Sequence, residues 1–184
     1  MVSLNNVSVI AAVRGSDEFR AALDLGCSVI FDLSPDLFSV ASRVREAHEK
    51  GAKLFMHFDL ASGIGKDMQG IRFVKGTGVD GIISTKTNII KLAREAGLFT
   101  VQRFFIVDSH SIHTTIESVK ASKADMIEIM PGLLTKVIVA LREKVSVPII
   151  AGGLVETKTE LEEILRSGAA AVSTGKKELW GGKI

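Results

Sequence analysis

Tyrosine is absent from this sequence of 184 residues, which has one tryptophan, one cysteine and three prolines. A lone cysteine, Cys27, excludes an internal disulfide framework, and with it the small disulfide-stapled secreted domains. Aromatic residues make up only 5%, which leaves little for stacking nucleic-acid bases, and no RNP-type motif is present. No uncharged apolar run reaches the ~18 residues that a spanning helix needs, so no membrane segment is expected. The apolar run Val7–Val13 has no basic stretch ahead of it, as a signal peptide would. Neither charge dominates: 23 basic against 21 acidic residues give +2, which neither demands nor excludes a nucleic-acid partner. Together these absences point to a cytoplasmic protein.

What is present is a globular composition, 46% hydrophobic and 24% charged with 17 glycines, which excludes disordered and collagen-like classes. No linker or composition shift divides the chain, so residues 1–184 read as one domain. Short β-rich runs alternate with helix-length amphipathic segments. The strand signals are Val7–Val13, Ser28–Leu33, Lys53–Leu60, Asp80–Lys86, Phe99–Val107, Ala124–Met130, Val147–Leu154 and Ala169–Thr174. Helical patterns include Pro35–Lys50, Thr87–Ala96, Leu133–Lys144 and Thr157–Ser167. Gly26, Gly51, Gly97 and Gly168 follow helical stretches as C-terminal caps, and Asp17, Thr87, Ser109 and Thr157 stand at helix starts.

Strands alternating with crossover helices imply a parallel sheet with right-handed connections. Eight units in 184 residues leave 23 per unit, just enough for a compact (β/α)8 TIM-like barrel. An open doubly wound sheet is the competing architecture. In the barrel the last helix, drawn from Lys176–Gly181, is very short, and Trp180 covers a barrel end. Gly81-Ile82-Ile83-Ser84-Thr85-Lys86 resembles Ala171-Val172-Ser173-Thr174-Gly175-Lys176; Ser84 and Ser173 are 89 residues apart, an offset that also brings Gly63 over Gly152. A duplicated half-barrel or chance would produce that echo.

Period two sorts the strand faces. Phe55, His57 and Asp59 face inward on the third strand; Ile82, Ser84 and Lys86 share a face opposite Ile83 on the fourth; Met126, Glu128 and Met130 share one on the sixth. Asp32, Asp59, Lys86, Arg103 and Glu128 are thereby expected at one mouth. They form either a structural ion-pair network or a socket for a small, charged, hydroxyl-bearing ligand, and both signs in one mouth favour the socket. The turns Gly152-Gly153 and Ser173-Thr174-Gly175 close the last two units, where barrels hold phosphate on bare backbone N–H groups and hydroxyls. Asp108-Ser109-His110 is a helix start rather than a triad, and His110 with His113 lacks a third metal ligand nearby. No metal or catalytic residue is expected.

His57-Phe58-Asp59-Leu60, Asp80 to Lys86, Gln102 to Ser109, Asp125 to Gly132, Ile149 to Leu154, and Ala171 to Thr174 with Leu179-Trp180 lie in order along the chain. Together these blocks resemble the bacterial glycerol uptake operon antiterminator regulatory proteins. The resemblance implies a cytoplasmic, non-enzymatic regulator that senses glycerol 3-phosphate and acts on the leader mRNA of glycerol-utilisation genes. It implies no cofactor, and leaves a homo-oligomer open. On that resemblance Gly152, Gly153, Ser173, Thr174 and Gly175 form the phosphate cradle. Asp59, Ser84 and Glu128 meet the hydroxyls, while Lys86 and Arg103 add positive charge. Arg43, Arg45, Lys50 and Lys53 are RNA phosphate contacts or a solvated helix face. A phosphosugar isomerase or aldolase on the same barrel is the alternative, with Asp59, Lys86 or Glu128 as acid, base or Schiff-base lysine.

Overall fold

The computed structural model describes residues 7–181. Residues 1–6 and 182–184, which the single-domain reading includes, lie outside that span. Eight parallel strands close in sequence order: β1 (Val9–Val13), β2 (Val29–Asp32), β3 (Lys53–His57), β4 (Gly81–Ser84), β5 (Phe99–Phe105), β6 (Met126–Met130), β7 (Ile149–Gly152) and β8 (Ala171–Thr174). Between them run α1 (Ser16–Asp24), α2 (Val40–Glu49), α3 (Met68–Gly76), α4 (Thr87–Glu95), α5 (Ser109–Ser122), α6 (Thr135–Arg142) and α7 (Lys158–Arg166). This is the compact TIM-like barrel, and β8 pairing with β1 rules out the open sheet.

The sequence punctuates its own helices. Asp67 caps α3; Asp108 and Ser111 cap α5 reciprocally, as do Thr157 and Glu160 for α7. The cap of α5 is therefore Asp108, not Ser109, because the carboxylate reaches the Ser111 N–H at 2.8 Å. Gly26, Gly51, Gly97 and Gly168 take left-handed conformations after their helices. After β8 a 3-10 turn, Lys177–Leu179, follows. Trp180 does not lid a barrel end. It packs into the layer between sheet and helices, and its indole N–H donates to the Thr174 carbonyl at 2.8 Å.

Inside the barrel, Ile10, Val29, Phe31, Phe55, Ile83, Val101, Met126, Ile150 and Ala171 fill the lower and middle layers. Phe55 contacts Phe31 and Phe99 at ring separations of 5.6 and 5.7 Å. Gly81 makes room for it, since a Cβ there would stand 2.6 Å from a Phe55 ring carbon. The barrel is thus plugged with aromatic and branched side chains, and the buried polar groups His57, Arg103, Glu128 and Ser173 lie above them toward the C-terminal strand ends.

Several face assignments change. Strand three ends at His57, and Phe58–Leu60 turns into a 3-10 helix. On β4 it is Ile83 that faces inward, so Ser84 lies on the Ile82 side, while Ser173 shares the inward face of Ala171. Ser84 and Ser173 therefore lie on opposite faces of their strands, which removes their structural equivalence. Asp32 likewise faces outward. It accepts from Arg43 Nη1 at 2.6 Å, both side chains being buried, and the Arg43 guanidinium lies 5.6 Å over the Phe19 ring. Arg43 is accordingly no RNA contact.

Candidate functional site

The C-terminal ends of β1, β2, β5, β6, β7 and β8 surround a pocket of about 330 Å3, lined by Ala12, Arg14, Leu33, Arg103, Met130, Gly153 to Glu156 and Ser173 to Lys176. Each lining group is placed by its strand. Arg103 follows Val101 on the inward face of β5, and Arg14 follows Ala12 off the end of β1. A larger cavity, about 600 Å3, opens at the opposite end between α3, α4 and β5. Its charged groups are already engaged: Lys75 with the Ala96 carbonyl, Arg94 with Asp125, and Asp80 with His48 and the Leu54 N–H. The pocket at the C-terminal end differs in holding two cations, Arg14 and Lys176, that make no ion pair among the described residues.

Beneath that pocket lies a fully buried polar cluster. Arg103 Nε donates to Glu128 Oε2 at 2.6 Å, and Ser173 Oγ donates to Glu128 Oε1 at 2.5 Å. Both carboxylate oxygens are therefore engaged, while Arg103 Nη1 and Nη2 make no hydrogen bond among the described residues. Gly152 belongs to this cluster and not to the pocket wall. A Cβ at Gly152 would collide with Ser173 Oγ and stand 2.6 Å from Glu128 Oε1. Gly153, at φ +78°, takes a left-handed turn, and a Cβ there would stand 2.7 Å from Met130 Cε. The next residue, Leu154, also has positive φ, 62°, so the turn after β7 carries two consecutive left-handed residues.

Arg14, Arg103 and Lys176 bring three cations to the pocket against one carboxylate, Glu156. Arg14 and Lys176 are exposed and take part in no ion pair among the described residues. A Cβ at Gly175 would stand 3.9 Å from Arg14 Nη1, so the Arg14 guanidinium hangs over bare backbone of the β8 turn. Thr174 stitches the two final turns together. Its hydroxyl donates to the Val155 carbonyl at 2.8 Å and accepts from the Lys176 N–H at 3.0 Å. The hydroxyl protons of Ser173 and Thr174 are thus committed within the protein, which leaves the cations and backbone amides as the groups able to meet an anion.

The predicted site residues accordingly separate. Arg103, Gly153, Ser173, Thr174 and Gly175 line the pocket; Glu128 and Gly152 lie directly under it. Asp59, Ser84 and Lys86 do not line it. The Asp59 carboxylate accepts from Ser84 Oγ at 2.5 Å, Thr85 N–H at 2.8 Å and Thr85 Oγ1 at 2.7 Å, which fixes the β3 turn onto the β4 loop. Burial pushes the Asp59 carboxyl up, but those hydrogen bonds outweigh it and hold the group below the usual carboxylate range. Lys86 is exposed at the start of α4 and makes no side-chain cap. These three left the expected mouth because β3 ends early and β4 has the opposite face inward.

Sequence reasoning missed Arg14 and Lys176. Each stands one or two residues beyond the end of a barrel strand, and that position was the available signal. His57 does face inward, is 4% exposed, and its Nδ1 has no hydrogen-bond partner among the described residues. Burial first, and then the nearby Arg103 charge, push its pKa down to about 4, so it is neutral at neutral pH. His110 and His113 are exposed on α5, and no cluster of metal-ligating side chains occurs among the described residues. Nor is any described helix long and apolar enough to cross a membrane.

Comparison with known proteins agrees with this geometry over nearly the whole chain. An Escherichia coli protein named YgcP is 38% identical over 173 residues, covering 94% of this chain and 91% of its own. The crystal structure of the glycerol uptake operon antiterminator regulatory protein from Listeria monocytogenes superposes with a TM-score of 0.93 at 31% identity, covering 99% of both chains. A glycerol uptake operon antiterminator-related protein from Thermotoga maritima gives 0.86 at 32% identity, covering 96% of this chain and 99% of that one. The glycerol-3-phosphate responsive antiterminator family matches residues 9–180, and the chain belongs to that family.

Proposed function

We propose that this protein binds glycerol 3-phosphate in the pocket at the C-terminal strand ends and, in response, acts as an RNA-binding antiterminator on the leader mRNA of glycerol-utilisation genes. The observation that carries the ligand is the meeting of Arg14, Arg103 and Lys176 over the glycine turns of β7 and β8. Oriented donors and unpaired cations at this end of a barrel suit a phosphate. Beside them Arg103 and Ser173 present polar edges to a glycerol moiety, and about 330 Å3 is ample for so small a molecule. Glycerol 3-phosphate acts here as an effector, bound and released unchanged in the cytoplasm, with no cofactor.

The enzyme alternative finds less support in the side chains that it requires. Asp59 is engaged by Ser84 and Thr85, Glu128 by Arg103 and Ser173, and Lys86 stands outside the pocket. None of the three is poised to move a proton or to form a Schiff base with a ligand in the pocket. Isothermal titration of the purified protein with glycerol 3-phosphate, with and without leader RNA, tests the proposal. Saturable binding that strengthens in the presence of RNA supports it. Turnover of a phosphosugar without RNA would put the enzyme in its place.

A further inference from the structure

Seven of the ten large hydrophobic side chains that stand exposed among the described residues lie at the C-terminal end of the barrel, Phe105 as the last residue of β5 and the others in the connections. Phe38 is 93% exposed, Val107 84%, Leu154 68%, Phe105 58% and Leu60 56%. They come from the end of β5 and from the loops after β2, β3, β5 and β7, so they ring the mouth that holds the pocket. Scattered surface hydrophobics need no explanation, but concentration at one end of a molecule does.

Two of them are held rigidly. Leu37 N–H donates to the Ser62 carbonyl and Ser62 N–H to the Pro35 carbonyl, which ties the β2 and β3 loops into one ledge carrying Phe38. Phe105 continues the inward face of β5 past Arg103, and its strand neighbour is Met130, which lines the pocket. The apolar ring is thus continuous with the ligand site, and Leu154 belongs to both.

The charge of this face is positive in effect. Every strand-to-helix connection delivers a helix N-terminus here, seven in all, each equivalent to roughly half a positive charge. Asp36, Asp67 and Asp108 accept N–H groups of their own helix starts, as Glu18 and Glu160 do at the starts of α1 and α7, and Asp59 accepts that of Thr85. Those carboxylates are offset locally. Arg14, Lys86, Lys176 and Lys177 are exposed and in no ion pair among the described residues, while Asp17, Glu156 and Glu178 are the acidic residues beside them. Exposed phenylalanines interleaved with unpaired cations are what a single-stranded nucleic acid requires, bases stacking on the rings and phosphates meeting the cations.

We infer that single-stranded RNA docks across this face, over the ligand pocket, with Phe38 and Phe105 as stacking platforms. The inference rests on the antiterminator reading and adds to it a surface and a form of coupling. Because Leu154 and Lys176 line the pocket and also belong to the rim, ligand and RNA influence each other by contact and not through the barrel.

The test is fluorescence anisotropy with a labelled single-stranded RNA of about 16 nucleotides, at two salt concentrations, on the unaltered full-length protein and on F38S, F105S and the double variant. Far-ultraviolet circular dichroism confirms that each variant is folded. The expected result is salt-sensitive binding that weakens about tenfold or more in each single variant, with the melting-point shift by glycerol 3-phosphate retained. Equal affinity in all four proteins overturns the surface while leaving the antiterminator reading intact. No binding by the unaltered protein overturns both. A dimer in size-exclusion chromatography that the double variant dissolves would make the ring a self-interface, and also overturns the inference.

Discussion

Ser173 Oγ on β8 donates to Glu128 Oε1 on β6 at 2.5 Å, passing over Gly152 on the intervening β7. Three neighbouring strands are therefore locked by one contact that only glycine in the middle permits. The same carboxylate takes Arg103 Nε from β5, so a single buried anion fixes the floor of the pocket and aims the Arg103 guanidinium upward.

Replacing Glu128 by alanine is expected to unfold the floor. It would leave the Arg103 charge buried without its partner, a loss of about 3–5 kcal/mol. For a domain of this length the melting point should fall by roughly 6–20 °C. Gly152→Ala should act in the same direction, because its Cβ would occupy the space of the Ser173–Glu128 contact. Thermal denaturation of both variants checks this, and a drop of less than 2 °C for Glu128→Ala would show that the cluster carries little stability.

Arg14→Gln is expected to separate binding from stability. The side chain is exposed and in no ion pair among the described residues, so its loss should leave the melting point of the unliganded protein within about 1 °C. A charge-assisted contact to phosphate is worth about 1.5–3 kcal/mol, so affinity for glycerol 3-phosphate should weaken roughly tenfold to hundredfold. Titration calorimetry reads it directly. Unchanged affinity would remove Arg14 from the site.

His57 gives the protein a stability that depends on mildly acidic pH. Its pKa of about 4 in the folded chain lies below the ordinary 6.5, so the unfolded chain binds the proton more readily. Stability is full above about pH 6.5 and is lost as the pH falls toward about 4. The carboxylates held low by hydrogen bonds, among them Asp36 and Asp59, act in a separate window, below the ordinary carboxylate pKa. Urea denaturation between pH 7 and 5 should therefore show a decline in the native protein that His57→Asn largely removes. Parallel declines in both proteins would assign the pH dependence elsewhere.

The fold was legible because its signals are local and repeated. Gly26, Gly51, Gly97 and Gly168 end helices in left-handed conformations, and Thr157 with Glu160 opens one. The inward face of β6 was legible because Met126, Glu128 and Met130 alternate cleanly with Ile127 and Ile129. The face of β4 was not, because Gly81-Ile82-Ile83-Ser84 is apolar on both sides and period two cannot choose between them. Asp32 misled for a related reason. A charge on an outward strand face is unexpected until Arg43, eleven residues on, is seen to turn back from α2 and neutralise it. Arg14 and Lys176 depended on knowing where strands end, the least certain feature of a pattern, since the chain leaves the alternating register there.

The most direct test of the account is the melting point of the purified protein with glycerol 3-phosphate, glycerol and inorganic phosphate compared side by side. At a hundredfold excess over the dissociation constant, glycerol 3-phosphate should stabilise by about 2.7 kcal/mol, a shift of roughly 5–11 °C for this length. Inorganic phosphate should give a smaller shift and glycerol none, while Gly153→Val, which would put side-chain atoms against Met130 at a left-handed position, should lose most of the effect. A melting curve that glycerol 3-phosphate leaves unmoved while another phosphosugar shifts it would contradict the account.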